Sequence, residues 1–107
     1  MEIQKPKTLL WTKHSKEKMR FYNLSESRVK RVLRLPKRIE AGIAPETIAM
    51  MQSAGTPKNP YEIWVMIENE KTQKKVISAW RYPGETKEKD EKIFNAISSE
   101  YSDYQES

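Results

Sequence analysis

Tyr61-Glu62-Ile63-Trp64-Val65-Met66-Ile67-Glu68 and Lys74-Lys75-Val76-Ile77-Ser78-Ala79-Trp80-Arg81-Tyr82 form the densest run of β-branched and aromatic residues in the chain. In the first half Glu62, Trp64, Met66 and Glu68 alternate with Tyr61, Ile63, Val65 and Ile67, the period of two that sends side chains to opposite faces of a sheet. The link between the halves, Asn69-Glu70-Lys71-Thr72-Gln73, is short and polar, which predicts an antiparallel hairpin. Unbroken alternation in the second strand puts Val76, Ser78, Trp80 and Tyr82 on one face and Ile77, Ala79 and Arg81 on the other, before Pro83-Gly84 ends it. Arg81, flanked by Trp80 and Tyr82, is either a solvated edge charge or part of a site.

Upstream of this hairpin the period is helical. Thr12 is placed to cap a helix whose stripes are Ser15, Met19 and Tyr22 on one side and His14, Lys18 and Phe21 beside it; Asn23 is its stop. Ser25 caps a second helix, with Leu24 positioned to pack on Val29, and Glu26 favouring the helix dipole. Val29, Val32 and Leu33 form its buried stripe, Arg28, Arg31 and Arg34 its outer side, and Pro36 closes it. Thr8-Leu9-Leu10-Trp11 reads as an edge strand or lead-in coil, 37–43 as a strand-like connector, 47–52 as a strand and 53–60 as a turn-rich loop. Beyond Gly84, residues 87–101 predict an amphipathic helix with Ile93, Phe94, Ile97 and Tyr101 on one face, and 102–107 a frayed tail.

The expected architecture is a single α+β domain over residues 1–107, with a core from about 8 to 101. It has two N-terminal helices, an antiparallel sheet of three to four strands with one face buried under helices, and a C-terminal helix. At 107 residues, 36% hydrophobic and 33% charged, the chain has length for one modest core, and no apolar run approaches the ~20 residues needed to span a bilayer. With no cysteine, and an N-terminus lacking the layout of a secretory signal, the expectation is a cytoplasmic protein that does not contact membrane.

The net charge of +5 conceals an asymmetry. Residues 13–38 carry ten basic against two acidic side chains, a net of +8, while residues 85–107 carry seven acidic against three basic, a net of −4. One end invites polyanions; a solvated basic helix surface is the competing reading.

Several chemistries are disfavoured by composition. One histidine and no cysteine cannot assemble the usual zinc or transition-metal ligand sets, so no metal or cofactor is expected. Gly42, Gly55 and Gly84 are too scattered for a phosphate loop, and no nucleophile elbow is present. Cationic chemistry on phosphate remains. His14 and Lys18, four residues apart, project from one helix face within reach of the same ligand, and Arg81 could clamp a phosphate while Trp80 and Tyr82 stack or support it. The plainer readings are a structural His14, an Arg81 paired with a glutamate across the sheet, and Trp64 and Trp80 as packing residues.

The opening His14-Ser15-Lys16-Glu17-Lys18-Met19-Arg20, the turn and capped helix of residues 23–33, and the closing Ser78-Ala79-Trp80-Arg81 resemble a widespread family of small uncharacterised domains, over roughly residues 11–82. Members are thought to share the fold of the BrnT and RelE ribonuclease toxins. The chain departs from that pattern in its long Lys37 to Pro60 segment and in carrying Lys18 where arginine is commoner, and lysine acts as a point charge rather than a bidentate fork. The resemblance implies metal-independent RNA cleavage, with Arg81 and Lys18 stabilising the phosphate, His14 moving a proton and Tyr82 positioning the base or phosphate. Arg28, Arg31, Arg34 and Trp80 would then contact nucleic acid, with RNA or the ribosome as target and an antitoxin as protein partner. The other reading is a non-catalytic nucleic-acid- or protein-binding module; the sequence is silent on oligomeric state.

Overall fold

The computed structural model describes residues 7–107, so part of the N-terminal segment read above for a signal lies outside the described residues. The elements run β1 (Thr8–Trp11), α1 (Lys13–Tyr22), α2 (Glu26–Arg34), β2 (Arg38–Ala41), β3 (Thr47–Gly55), β4 (Pro60–Asn69), β5 (Gln73–Pro83) and α3 (Glu91–Glu106). The chain is α+β, but its sheet has five strands, in the order β1-β5-β4-β3-β2, and is mixed: β1 runs parallel to β5 and the other pairs are antiparallel. A strand therefore precedes the two helices. Residues 53–55, expected in a loop, continue β3, and α3 begins later than expected and runs through the segment expected to fray.

The hairpin departs from simple alternation at one point. Ile67 pairs with Val76 but Met66 pairs with Ser78, so Ile77 is an extra residue, a β-bulge that shifts the phase of β5. As a result Val76 and Ala79 join the core on one side of the sheet, and Ile77 and Trp80 the core on the other. The faces predicted for Val76 and Ile77 relative to the rest of the strand are corrected accordingly.

Both sheet faces are covered, rather than one. On the first, α1, α2 and the turn between them bury Met19, Leu24, Val29 and Val32 against Met50, Ile63, Val65 and Ile67. The caps act as expected: Thr12 accepts from the Ser15 amide at 3.0 Å, Ser25 accepts from the Arg28 amide at 3.1 Å, and Asn23 closes α1 in the left-handed conformation at φ 55°. On the second face α3 packs Ile93 and Ile97 against Met51, Trp64, Met66 and Trp80. Each fully buried large apolar side chain contributes about 1.5–3 kcal/mol, so the two clusters carry most of the fold's stability. Phe94, expected on the buried stripe of α3, is 61% exposed; Glu100 takes that place instead.

The link from β5 to α3 is tied to the sheet by a buried carboxylate. Glu62 accepts from Trp64 Nε1 at 3.1 Å, from the Thr86 amide at 2.8 Å and from Thr86 Oγ1 at 2.7 Å. Arg38 lies over the Trp64 ring and donates to the Thr86 carbonyl at 2.8 Å. No helix among the described residues is long and apolar enough to cross a membrane.

Candidate functional site

After the bulge, Arg81 falls on the sheet face under α1 and α2, where it reaches the end of α1. Its Nε donates to the Tyr22 carbonyl at 2.7 Å, an Nη donates to the Asn23 carbonyl at 3.3 Å, and the guanidinium stands 5.0 Å from the centroid of the Tyr61 ring. Arginine has five N–H donors, so the remaining ones are free to face outward. They face a cleft of about 410 Å³ between the α1–α2 turn and β4. Arg20 from α1 and Arg28 from the first turn of α2 line the same cleft, with Tyr61 and Asn23.

Three guanidiniums share this cleft, and among the described residues none has an acidic partner within ion-pair distance. Arg28 is anchored instead by a neutral group, donating to Gln52 Oε1; the Gln52 amide in turn donates to the Leu35 carbonyl at 2.8 Å. The pKa of Arg28 is lowered from the ordinary arginine value, first by burial and next by the charge of Arg31; Tyr61 opposes the shift and Arg81 adds to it. The site thus concentrates like charge that an incoming anion would relieve.

His14 and Lys18 do reach a common partner, and it belongs to this chain. Glu100 of α3 takes Lys18 Nζ at 2.8 Å on one oxygen; the other accepts from Ser78 Oγ at 2.5 Å and lies 3.4 Å from His14 Nε2. His14 and Glu100 are buried, at 7% and 8% exposure. This cluster clamps α1 to α3 around the open edge of β5, beyond the last residue that β1 covers. Arg81 is not part of it. It binds the C-terminal end of α1, eight residues and roughly 12 Å of helix from His14. The single site expected from His14, Lys18 and Arg81 is therefore two separate places.

Trp80 is 3% exposed on the α3 face, stacked on Trp64 with ring centroids 6.1 Å apart and planes 7° apart, so it presents no face to a base. Tyr82 packs half-buried on that same face, opposite the cleft. Arg31 and Arg34 are exposed along α2; Arg31 is near enough to perturb Arg28. Sequence reasoning missed Arg20, Tyr61 and Glu100. Glu100 had a signal: it lies three residues after Ile97 and seven after Ile93, a carboxylate on an apolar stripe, which calls for a buried partner. Among the described residues no group of three His, Cys, Asp or Glu side chains could hold a metal ion. Compared with known proteins, the chain matches no family model, no curated protein and no solved structure.

Proposed function

We propose that this domain binds nucleic acid by its phosphate backbone, in the cleft formed by Arg20, Arg28 and Arg81. The observation that carries the reading is three guanidiniums converging on one hollow with no carboxylate among its described lining residues. Guanidiniums offer paired donors that match phosphate oxygens, and Arg81 is held rigidly by two backbone carbonyls, so its remaining donors are pre-oriented. The Tyr61 ring adds a surface on which a base or ribose can rest. RNA is the target that the resemblance to ribonuclease toxins suggests. The test is binding of short RNA and DNA oligonucleotides across a salt series, with Arg20, Arg28 and Arg81 each replaced by alanine. Loss of affinity in all three variants, with the fold intact, supports the cleft; unchanged affinity removes it.

Cleavage of RNA is the second reading, and Tyr61 is the observation that favours it. In that case the 2′-hydroxyl attacks the adjacent phosphorus, the bond to the 5′-oxygen breaks, and the products are a 2′,3′-cyclic phosphate and a 5′-hydroxyl. Arg28 and Arg81 would hold the charge growing on the phosphate. The Tyr61 hydroxyl, which lines the cleft, would act as general acid and give its proton to the leaving 5′-oxygen, while the 2′-hydroxyl proton passes to solvent water, from which the phenolate is reprotonated. RNA degraded in EDTA by the wild type but not by Tyr61→Phe is the expected result under this reading; intact RNA leaves the binding module.

A further inference from the structure

Gln52 is a polar residue on an apolar face. In β3 it alternates with Ile48, Met50 and Ala54, all of which pack in the core beneath α1 and α2. Both ends of its amide are used. Nε2 donates to the Leu35 carbonyl at 2.8 Å and to the Arg31 carbonyl at 3.2 Å, two backbone acceptors at the C-terminal end of α2. Carbonyls can only accept, so one amide orientation serves, with Oε1 turned toward Nη1 of Arg28. The strand register sets Gln52 opposite Ile63 and Ile63 opposite Arg81, a single row across β3, β4 and β5. From Gln52 to Arg81 the row spans two strand spacings, about 10 Å, and Ile63 between them lines the cleft. Arg28 is thus held on the far side of Ile63 from Arg81, where the two guanidiniums can reach one phosphate from both sides.

We propose that Gln52 is a positioning residue for anion binding: it fixes the Arg28 guanidinium at the cleft and, as a neutral amide, leaves the charge of that guanidinium to phosphate. This role rests on the nucleic-acid reading of the cleft. Gln52 is not among the residues lining the cleft, so it acts through Arg28. An apolar side chain at position 52 would suit the core face, but Arg28 would then be ordered only by the ligand, which weakens binding. A carboxylate there would order Arg28 as an ion pair that a phosphate has to displace, and it could donate to neither the Leu35 nor the Arg31 carbonyl. Of the three, the amide alone anchors Arg28 without neutralising it and also satisfies the end of α2.

The test is the affinity of a short single-stranded RNA, across a salt series, for the wild type, Gln52→Glu, Gln52→Met, Arg28→Ala and the combination of Gln52→Glu with Arg28→Ala, each checked for folding by circular dichroism. Gln52→Glu should lose about tenfold or more in affinity and flatten the slope of log affinity against log salt by about 0.7, the share of one phosphate contact on a single strand. Gln52→Met keeps the charge of Arg28 but not its anchor, so it should lose about three- to tenfold with the slope unchanged. Adding Gln52→Glu to Arg28→Ala should change nothing further, because the guanidinium on which the carboxylate acts is gone. A residue that only fastened α2 to the sheet would instead weaken both single variants alike, with the wild-type slope. That result overturns the role, as does a Gln52→Glu effect that persists without Arg28. Should Gln52→Glu fail to fold, Gln52→Met still decides, and its binding like the wild type overturns the role while the cleft reading stands. RNA bound by none of the proteins, wild type included, overturns the cleft reading and this role with it.

Discussion

Arg81 Nε donates to the Tyr22 carbonyl across 2.7 Å, which makes one side chain both a clasp on the C-terminal end of α1 and a wall of the cationic cleft. Replacing Arg81 by alanine should therefore do two things at once. It should lower stability by about 1–2 kcal/mol, because the Tyr22 and Asn23 carbonyls lose a charged donor, and it should weaken nucleic-acid binding. Arg20→Ala removes an exposed charge with no such bond, so its binding should fall with stability within about 0.5 kcal/mol of wild type. Urea unfolding beside anisotropy titrations separates the two effects; equal stability of both variants would mean that Arg81 does not hold the turn.

The cleft and the outer side of α2 are distinguished by salt. A contact between arginine and phosphate on a single strand contributes about 0.7 to the slope of log affinity against log salt. Arg28→Ala should flatten the slope by about that amount, whereas Arg34→Ala, on the outside of α2, should leave it where it was. The reverse order would place the nucleic acid on the helix exterior that the charge run of residues 13–38 first suggests.

What could be read from the sequence was what is local. The Thr12 and Ser25 caps, the Asn23 stop and the polar link of the hairpin each depend on a few adjacent residues, and each lies where the pattern put it. The bulge at Ile77 is a property of pairing, since an extra residue in β5 has meaning only against β4, and it shifts the phase of β5 between Ile77 and Ala79. The parallel pairing of β1 joins Trp11 to Val76 across more than sixty residues, which no window of sequence contains. The site residues depend on docking in a similar way. The i, i+4 spacing of His14 and Lys18 predicts a shared partner, and the docking of α3 supplies Glu100, a residue more than eighty positions away that no local window contains.

That clamp gives a third prediction. Glu100→Ala leaves Lys18 and Ser78 without their acceptor at a mostly buried junction, so it should cost about 2–4 kcal/mol. Glu100→Gln keeps an acceptor for Ser78 and should cost less. Chemical denaturation of the two variants and of His14→Ala, whose contact is long at 3.4 Å and which should cost under about 1 kcal/mol, ranks the three bonds. A His14→Ala loss as large as that of Glu100→Ala would instead make the histidine the centre of the cluster.

Trp64 and Trp80 stack on one another, yet their indole nitrogens differ, and the difference predicts unequal responses to the same substitution. Trp64 Nε1 donates to Glu62 at 3.1 Å, one of three donors that hold this buried carboxylate, whereas Trp80 Nε1 is buried without a partner among the described residues. Both phenylalanine variants lose ring volume and the contacts that go with it. Trp64→Phe also strips a donor from a buried charge, while Trp80→Phe removes a polar group that had no bond to lose. Trp64→Phe should thus be the less stable of the two by about 1–2 kcal/mol in urea unfolding. Trp80→Phe should also leave nucleic-acid affinity unchanged, because its ring lies on the face opposite the arginine cleft. Equal losses of stability would show that the Trp80 nitrogen is satisfied in solution. A fall in affinity for Trp80→Phe with its fold intact would return Trp80 to the binding surface.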